Sequence, residues 1–373
     1  MADETDHGFR TLDQFTLHDV ESVWSILRGD SVIDWQRVHF DSRESAEEFL
    51  RVQELRPDDA GDRARMEAIK REAITYLRRN FEYPIPRSIE QAPVEELILF
   101  ASAKGHKQVC ACVILKVMHI IHHLQGRELL YILPLSDAEV FHMVEEKVYR
   151  VIGGMLAAGL PITEFLGGRK NRDSLYTKLL SKTETIAAQI YDKLRFRIVT
   201  RTTEDLLPVL NYLTRRLFPF NYAIPGESKN TLVNPAAVMR RHPHIATIIN
   251  RPDSNVQPEA LSELVDNKFS ARTYRVVHFV VDLPVRVKRD VLAAAPQSAW
   301  SLGPVVFVLV EFQIVDQEAE LSNETGEASH SKYKERQREA VRDRLRLGSA
   351  SRERNVTPSK PARRVSKPPP PKR

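Results

Sequence analysis

Four groups of side chains between Gly167 and Gln313 of this 373-residue sequence have types and spacings that could do chemistry. The first is Gly167-Gly168-Arg169-Lys170, followed by Ser174 and Lys178. A helix starting near Asp173 would set Ser174 and Lys178 one turn apart on one face. Cations beside the free N–H groups of a helix start suit a polyphosphate; a basic, solvated helix end is the plain alternative. The second group is Asp192 with Arg195 and Arg197, at the head of a strand. A carboxylate there can hold Mg2+ while phosphates fill the remaining positions, or it can pair with a neighbouring arginine. The third is Tyr274 and His278, four apart in a strand and so on one face. An aromatic beside a histidine can stack a base and contact a phosphate, and can equally be a satisfied core pair. The fourth is Glu311 with Gln313, same-facing inside the apolar run VVFVLVEFQIV. A carboxylate there is costly unless paired, hydrogen-bonded or metal-bound.

Several chemistries are excluded. The chain has no G-x-x-x-x-G-K-[ST] loop, no G-x-S-x-G elbow and no H-E-x-x-H helix. Its two cysteines, Cys110 and Cys112, are too few for a disulfide scaffold or a four-cysteine zinc site. The acidic, polar start (MADETDHGFR) does not read as a secretory signal. The longest apolar run, Val109 to Leu124, contains Lys116 and three histidines, which reads as too short and too polar for a bilayer. A soluble, cytoplasmic protein without a membrane partner is the expectation.

The net charge of +5 conceals an asymmetry. From Lys332 onward there are 15 basic and 4 acidic residues, whereas the preceding 331 residues carry a net charge of −6. The stretch from Gly348 (GSASRERNVTPSKPARRVSKPPPPKR) has almost nothing apolar to bury and is expected to be disordered. Its charge suits RNA or an acidic partner, or only solubility.

Residues 1–160 read as a helical domain of unassigned role. Ser42 starts a helix through SAEEFLRVQEL, and Ala64–Phe81 is another, ended by Pro84 and Pro86. Val94–Leu124 makes one or two buried helices, and Asp137–Leu160 a further one. Past residue 165 the pattern mixes. Ser174–Ala188 is helical, and Tyr191–Thr200 alternates as a half-buried strand. Thr203–Leu217 is helical, and 222–268 is irregular. Thr273–Val285 and Val305–Val315 are strands, and Lys332–Leu347 is a charged helix. The fold class is α+β around one mixed or antiparallel sheet. The division is 1–160, 161–347 and the tail 348–373.

In order and spacing the four groups resemble the synthetase domain of the RelA/SpoT family of (p)ppGpp synthetases. Arg169, Lys170, Ser174 and Lys178 approach its R-x-K-x-x-x-S-x-x-x-K stretch, with Arg169 one residue out of register. Asp192 and Arg197 approach D-x-x-[GA]-x-R, and Tyr274 and His278 approach G-Y-x-S-x-H. Glu311, Gln313 and Ile314 approach E-x-Q-I-R-T, with Val315-Asp316 in place of Arg-Thr. His330, Tyr333 and Lys334 match H-x-x-Y-K.

The resemblance implies a nucleotidyltransferase-type domain with a mixed central sheet flanked by helices. It implies Mg2+-dependent pyrophosphate transfer from ATP to the 3′-hydroxyl of GDP or GTP, the chemistry of the stringent response. Asp192 and Glu311 would bind the metal, with Glu311 aiding deprotonation. Arg169, Lys170, Ser174, Lys178 and Arg197 would serve ATP. Tyr274, His278 and Gln313 would serve the acceptor. Three readings stand: this reaction, the same chemistry on an adenine nucleotide or a tRNA 3′ end, and non-catalytic nucleotide binding. Oligomer formation is left open. The family's hydrolase half has no counterpart here. His119, His122 and His123 lack an accompanying carboxylate cluster and read as polar residues of a partly buried helix.

Overall fold

The computed structural model describes residues 9–29, 39–181, 193–256, 274–325 and 330–354. Fifteen helices among these residues surround one five-stranded mixed sheet, in agreement with the α+β expectation. Helices α1 (Leu17–Arg28), α2 (Arg43–Val52), α3 (Ala60–Phe81), α4 (Arg87–Glu90), α5 (Val94–Ser102), α6 (His106–Ile132) and α7 (Asp137–Ala157) come first. Their starts follow capping chemistry: Thr16, Ser42, Asp59 and Ser136 each accept a backbone N–H three residues on. The apolar stretch expected as one or two helices is two, α5 and α6, separated at Gly105, whose φ of 113° breaks the helical path.

Strand β1 (Ile162–Arg169) is followed by α8 (Arg172–Ser181), β2 (Leu194–Thr200) and α9 (Leu206–Arg216). Next come β3 (Lys229–Asn230), α10 (Pro235–Arg241), α11 (Pro243–Ile249) and β4 (Val277–Arg286). The chain then forms α12 (Arg289–Ala294), α13 (Gln297–Trp300), β5 (Val305–Asp316), α14 (Gln317–Thr325) and α15 (His330–Arg354). The segment expected to be irregular contains α10 and α11. Each opens on a proline at its first turn, where a missing N–H costs nothing. The last helix continues seven residues past Leu347, and the rest of the basic tail lies outside the described residues.

The strand order is β1-β2-β5-β4-β3, parallel only between β2 and β5. Alternation along the strands gives the sheet two unlike faces. One face is apolar. Phe196, Phe312 and Phe279 are directly paired across β2, β5 and β4. With Phe165 they form a run of stacked rings whose centroids are 5.6–5.9 Å apart. Helices α1, α7 and α9 share this core. A second core joins α2, α3, α5 and α6. The expected boundary at residue 160 therefore falls between α7 and β1, but the main core crosses it: Val23, Val144 and Ile152 pack with the sheet residues.

Candidate functional site

The opposite face of the sheet carries the charge. One register row runs Leu166, Arg197, Gln313, His278, Lys229 across all five strands. The next row runs Gly168, Arg195, Glu311, Val280. Directly opposed residues share a face, as do residues two apart on one strand. Arg195, Arg197, Glu311, Gln313, His278 and Lys229 therefore all project from the same side. Helix α6 packs on β5, where its histidines meet Phe307, and α14 packs on β2 and β5 at the other end. The two rows form the floor of a trough between these helices.

Glu311 is the centre of this floor and only 6% exposed. Gln313 Nε2 donates to its Oε1 at 2.7 Å, and His278 Nε2 lies 3.3 Å from the same oxygen. These contacts offset part of the cost of embedding a carboxylate in an apolar strand. Arg197, one row on, is ion-paired with Glu320 of α14. Tyr274 sits just before β4 and is largely buried, which pushes its phenol above the usual range. Arg197 and Arg195 pull that value down while Glu311 and Glu320 raise it, so its hydroxyl lies within electrostatic reach of all four. Five sequence-predicted residues from three separate segments, Arg197, Tyr274, His278, Glu311 and Gln313, thus lie together on this face.

Other expected residues go elsewhere. Arg169 is paired with Leu194 in the register, so it projects from the apolar face, away from Glu311. There it makes a bidentate ion pair with Glu145 of α7, at 2.9 and 2.7 Å. Its one-residue offset from the expected spacing has this physical consequence, because a slip of one residue in a strand changes the face. Gly167 and Gly168 belong to β1. At Gly167 a Cβ would lie 2.8 Å from the Tyr149 hydroxyl and 3.0 Å from the Phe196 ring, so glycine here makes room for the core.

Ser174 and Lys178 lie on α8 as expected, one turn apart, and α8 packs along α15. The Ser174 N–H is capped by Asn171 Oδ1 at 2.9 Å, so one donor at this helix start is already taken. The backbone N–H of Lys170 bonds to the carbonyl of Lys193 and ties the end of β1 to the start of β2. On α15, Tyr333 accepts a hydrogen bond from Gln337 Nε2. Asp192 lies outside the described residues. Among the described residues no group of three or more His, Cys, Asp or Glu is arranged to hold a metal. A Mg2+ site of one or two carboxylates completed by phosphate oxygens needs no such group, and Glu311 fits that role.

Three residues were missed by sequence reasoning. Lys229 stands beside His278 on a two-residue strand, too short to show a period. Glu320 is one of several acidic residues on a polar helix, and nothing in the sequence distinguishes it. Asp282 did carry a signal, since it is the lone carboxylate in TYRVVHFVVDLPV just as Glu311 is in its own run. It is 2% exposed, on the same face of β4 as His278, and its Oδ2 lies 3.1 Å from His123 Nε2 and 3.3 Å from Arg127 Nη1.

No family model and no curated protein sequence matches the chain. Among solved structures it is similar to the small alarmone synthetase 1 from Bacillus subtilis. That match is 18% identical, covers 57% of this chain and 90% of the other, and has a TM-score of 0.30. The same synthetase bound to its product pppGpp is 17% identical over 63% of this chain and 93% of that one, with a TM-score of 0.28. A GTP pyrophosphokinase family protein from Streptococcus pneumoniae is 15% identical over 58% and 88%, with a TM-score of 0.26. Likenesses at this level locate no site residue and fix no substrate.

Proposed function

We propose that the trough is the active site of a nucleotide pyrophosphokinase that moves the β,γ-pyrophosphate of ATP to the 3′-hydroxyl of a guanine nucleotide. The observation that carries this reading is the buried Glu311 with His278 and Gln313 converging on one of its oxygens, beside Arg197 and Tyr274. A carboxylate this enclosed, within a field of cations and beside an aromatic, suits a hydroxyl nucleophile on a base-bearing, phosphate-bearing substrate.

In this reaction the acceptor's 3′-oxygen attacks the β-phosphorus of ATP. A new O–P bond forms, the bond from that phosphorus to the α,β-bridging oxygen breaks, and AMP leaves. Glu311 takes the hydroxyl proton, and His278 and Gln313 fix the carboxylate in the orientation to do so. Tyr274 stacks the acceptor base, an interaction of about 1–3 kcal/mol for base–aromatic pairs. His278 contacts an acceptor phosphate. Arg197, with Lys170, Ser174 and Lys178, binds the ATP phosphates, where fixed positive charge favours the transferring group. Arg169 has no part in this, because it projects from the other face of the sheet. Asp192 and Glu311 would hold Mg2+, which when bound neutralises charge on the phosphates.

The test is incubation of purified protein with Mg2+ and γ-labelled ATP against GDP, GTP, ADP, AMP and bulk tRNA in parallel. Label on GDP or GTP is the expected result. Label on another acceptor keeps the chemistry and moves the substrate, and nucleotide affinity without transfer favours a binding protein.

A further inference from the structure

The three histidines of α6 take no part in the proposed reaction, yet they form one buried group at the α6 end of the trough. His123 stacks on Phe307 with centroids 4.0 Å apart, and His122 meets the edge of the same ring at 5.2 Å. His119 lies 4.6 Å from His123 and 5.3 Å from Tyr222. Beside them, between α2, α3, α5 and α6 and partly open to solvent, is a cavity of about 40 Å³ whose lining includes Gln53, Met66, Leu115, Met118, His119 and His122.

His122 is the anomaly. It is 7% exposed, and neither Nδ1 nor Nε2 has a hydrogen-bond partner within the protein. Burial, helped by the neighbouring His123 and Arg65, pushes its pKa down to about 3, so the ring is neutral. A neutral imidazole carries one N–H donor and one lone-pair acceptor, and here both are buried without a partner. Leaving such groups orphaned forfeits their hydration with nothing in return. His123 Nδ1, Asn221 Oδ1 and Asp282 Oδ1 around the same ring group are also buried and unpartnered. Of these side chains only His122 lines the cavity, so the two His122 nitrogens are what call for a partner there.

We infer that this cavity is a hydration site, in which a small cluster of ordered water is hydrogen-bonded to His122. Size and chemistry agree. One water needs at least about 10–15 Å³, whereas a dry apolar cavity that admits benzene measures about 150 Å³. The apolar walls from Leu115, Met66 and Met118 leave the ring nitrogens of His122 as the place where water binds, since Gln53 is already bonded to Tyr222 and Phe49 and His119 to Asn221. The histidines of α6 are then water-satisfied members of the junction between the helical layer and the sheet. This site is independent of the nucleotide reading.

The direct test is a high-resolution crystal structure of the full chain. Density within hydrogen-bonding distance of either His122 ring nitrogen is expected; a cavity without density, or one that takes up xenon under pressure, overturns the inference, because xenon enters dry apolar cavities. The substitution His122→Leu gives a second reading by its sign. A hydrated cavity loses its anchor and the melting temperature falls. In a dry cavity two orphaned nitrogens disappear and the melting temperature rises, which contradicts the inference. Xenon uptake by the wild-type protein decides the matter should that variant not fold.

Discussion

Arg197 of β2 and Glu320 of α14 form an ion pair at the rim of the trough, with side chains only 18% and 13% exposed. The pair fastens α14 to the sheet face that carries Glu311. Arg197 Nε is also buried without a partner, so the guanidinium depends on Glu320 for its electrostatic compensation. Glu320→Ala should therefore destabilise the fold by about 1–3 kcal/mol, the cost of leaving a buried charged donor unmet. Chemical denaturation of the two proteins checks this. Because a nucleotide phosphate would supply the missing acceptor, Mg2+-ATP should restore more stability to the variant than to the wild type.

Glu21 of α1 ties two distant segments together. Its carboxylate accepts the His39 N–H at 2.6 Å and the Asn255 N–H at 3.2 Å. Burial outweighs these bonds and pushes its pKa up to about 7. The folded state thus holds this proton more tightly than the unfolded chain, whose carboxyl titrates near the ordinary value of about 4.5. The stability that Glu21 contributes is fully present below about pH 4.5 and is lost as pH rises through about 7, a change on the order of 3 kcal/mol. Glu21→Gln has no such titration. Across pH 5 to 8 the wild-type melting temperature should fall relative to that of the variant, and parallel curves would remove the assignment.

Gly167 predicts a coupled pair. Gly167→Ala places a methyl against the Tyr149 hydroxyl and the Phe196 ring, which should cost about 1–3 kcal/mol as overpacking. Tyr149→Phe removes the nearer of the two contacts. The double variant should be more stable than the sum of the single changes allows, a departure that a double-mutant cycle measures.

Arg169 separates the structure from the motif. By spacing it resembles an ATP-binding arginine, but it faces the apolar side and pairs with Glu145. Arg169→Ala should leave the KM for ATP within about twofold of wild type, since an exposed ion pair contributes only about 0–1 kcal/mol. Arg197→Ala should raise that KM by about tenfold or more, the effect of one charge-assisted hydrogen bond. Equal effects from both would show that the trough is not where ATP phosphates bind.

Much of this was legible in the sequence, for physical reasons that differ by residue. The alternation in LRFRIV and the apolar run around Glu311 placed β2 and β5, because strand period and the cost of a buried carboxylate are local signals. The cap at Ser42 placed a helix for the same reason. What was hidden is non-local. Strand β1 was unreadable because Gly167 and Gly168 look like a loop until Phe196 and Tyr149 are seen to require them. Helices α10 and α11 were hidden by the prolines that start them. Lys229 and Glu320 gain meaning only from the register of β3 against β4 and the docking of α14. No local pattern could reveal that the core crosses residue 160, since α1 and α7 join it through tertiary packing alone.

The most direct test of the account is the rate of pyrophosphate transfer from γ-labelled ATP to GDP or GTP by the wild type and Glu311→Gln, with both shown to be folded. Glutamine keeps the shape and loses the base, so transfer should fall by about 10²–10⁴-fold while the melting temperature changes little. Transfer that survives the substitution, or none at all from the folded wild type, would contradict it.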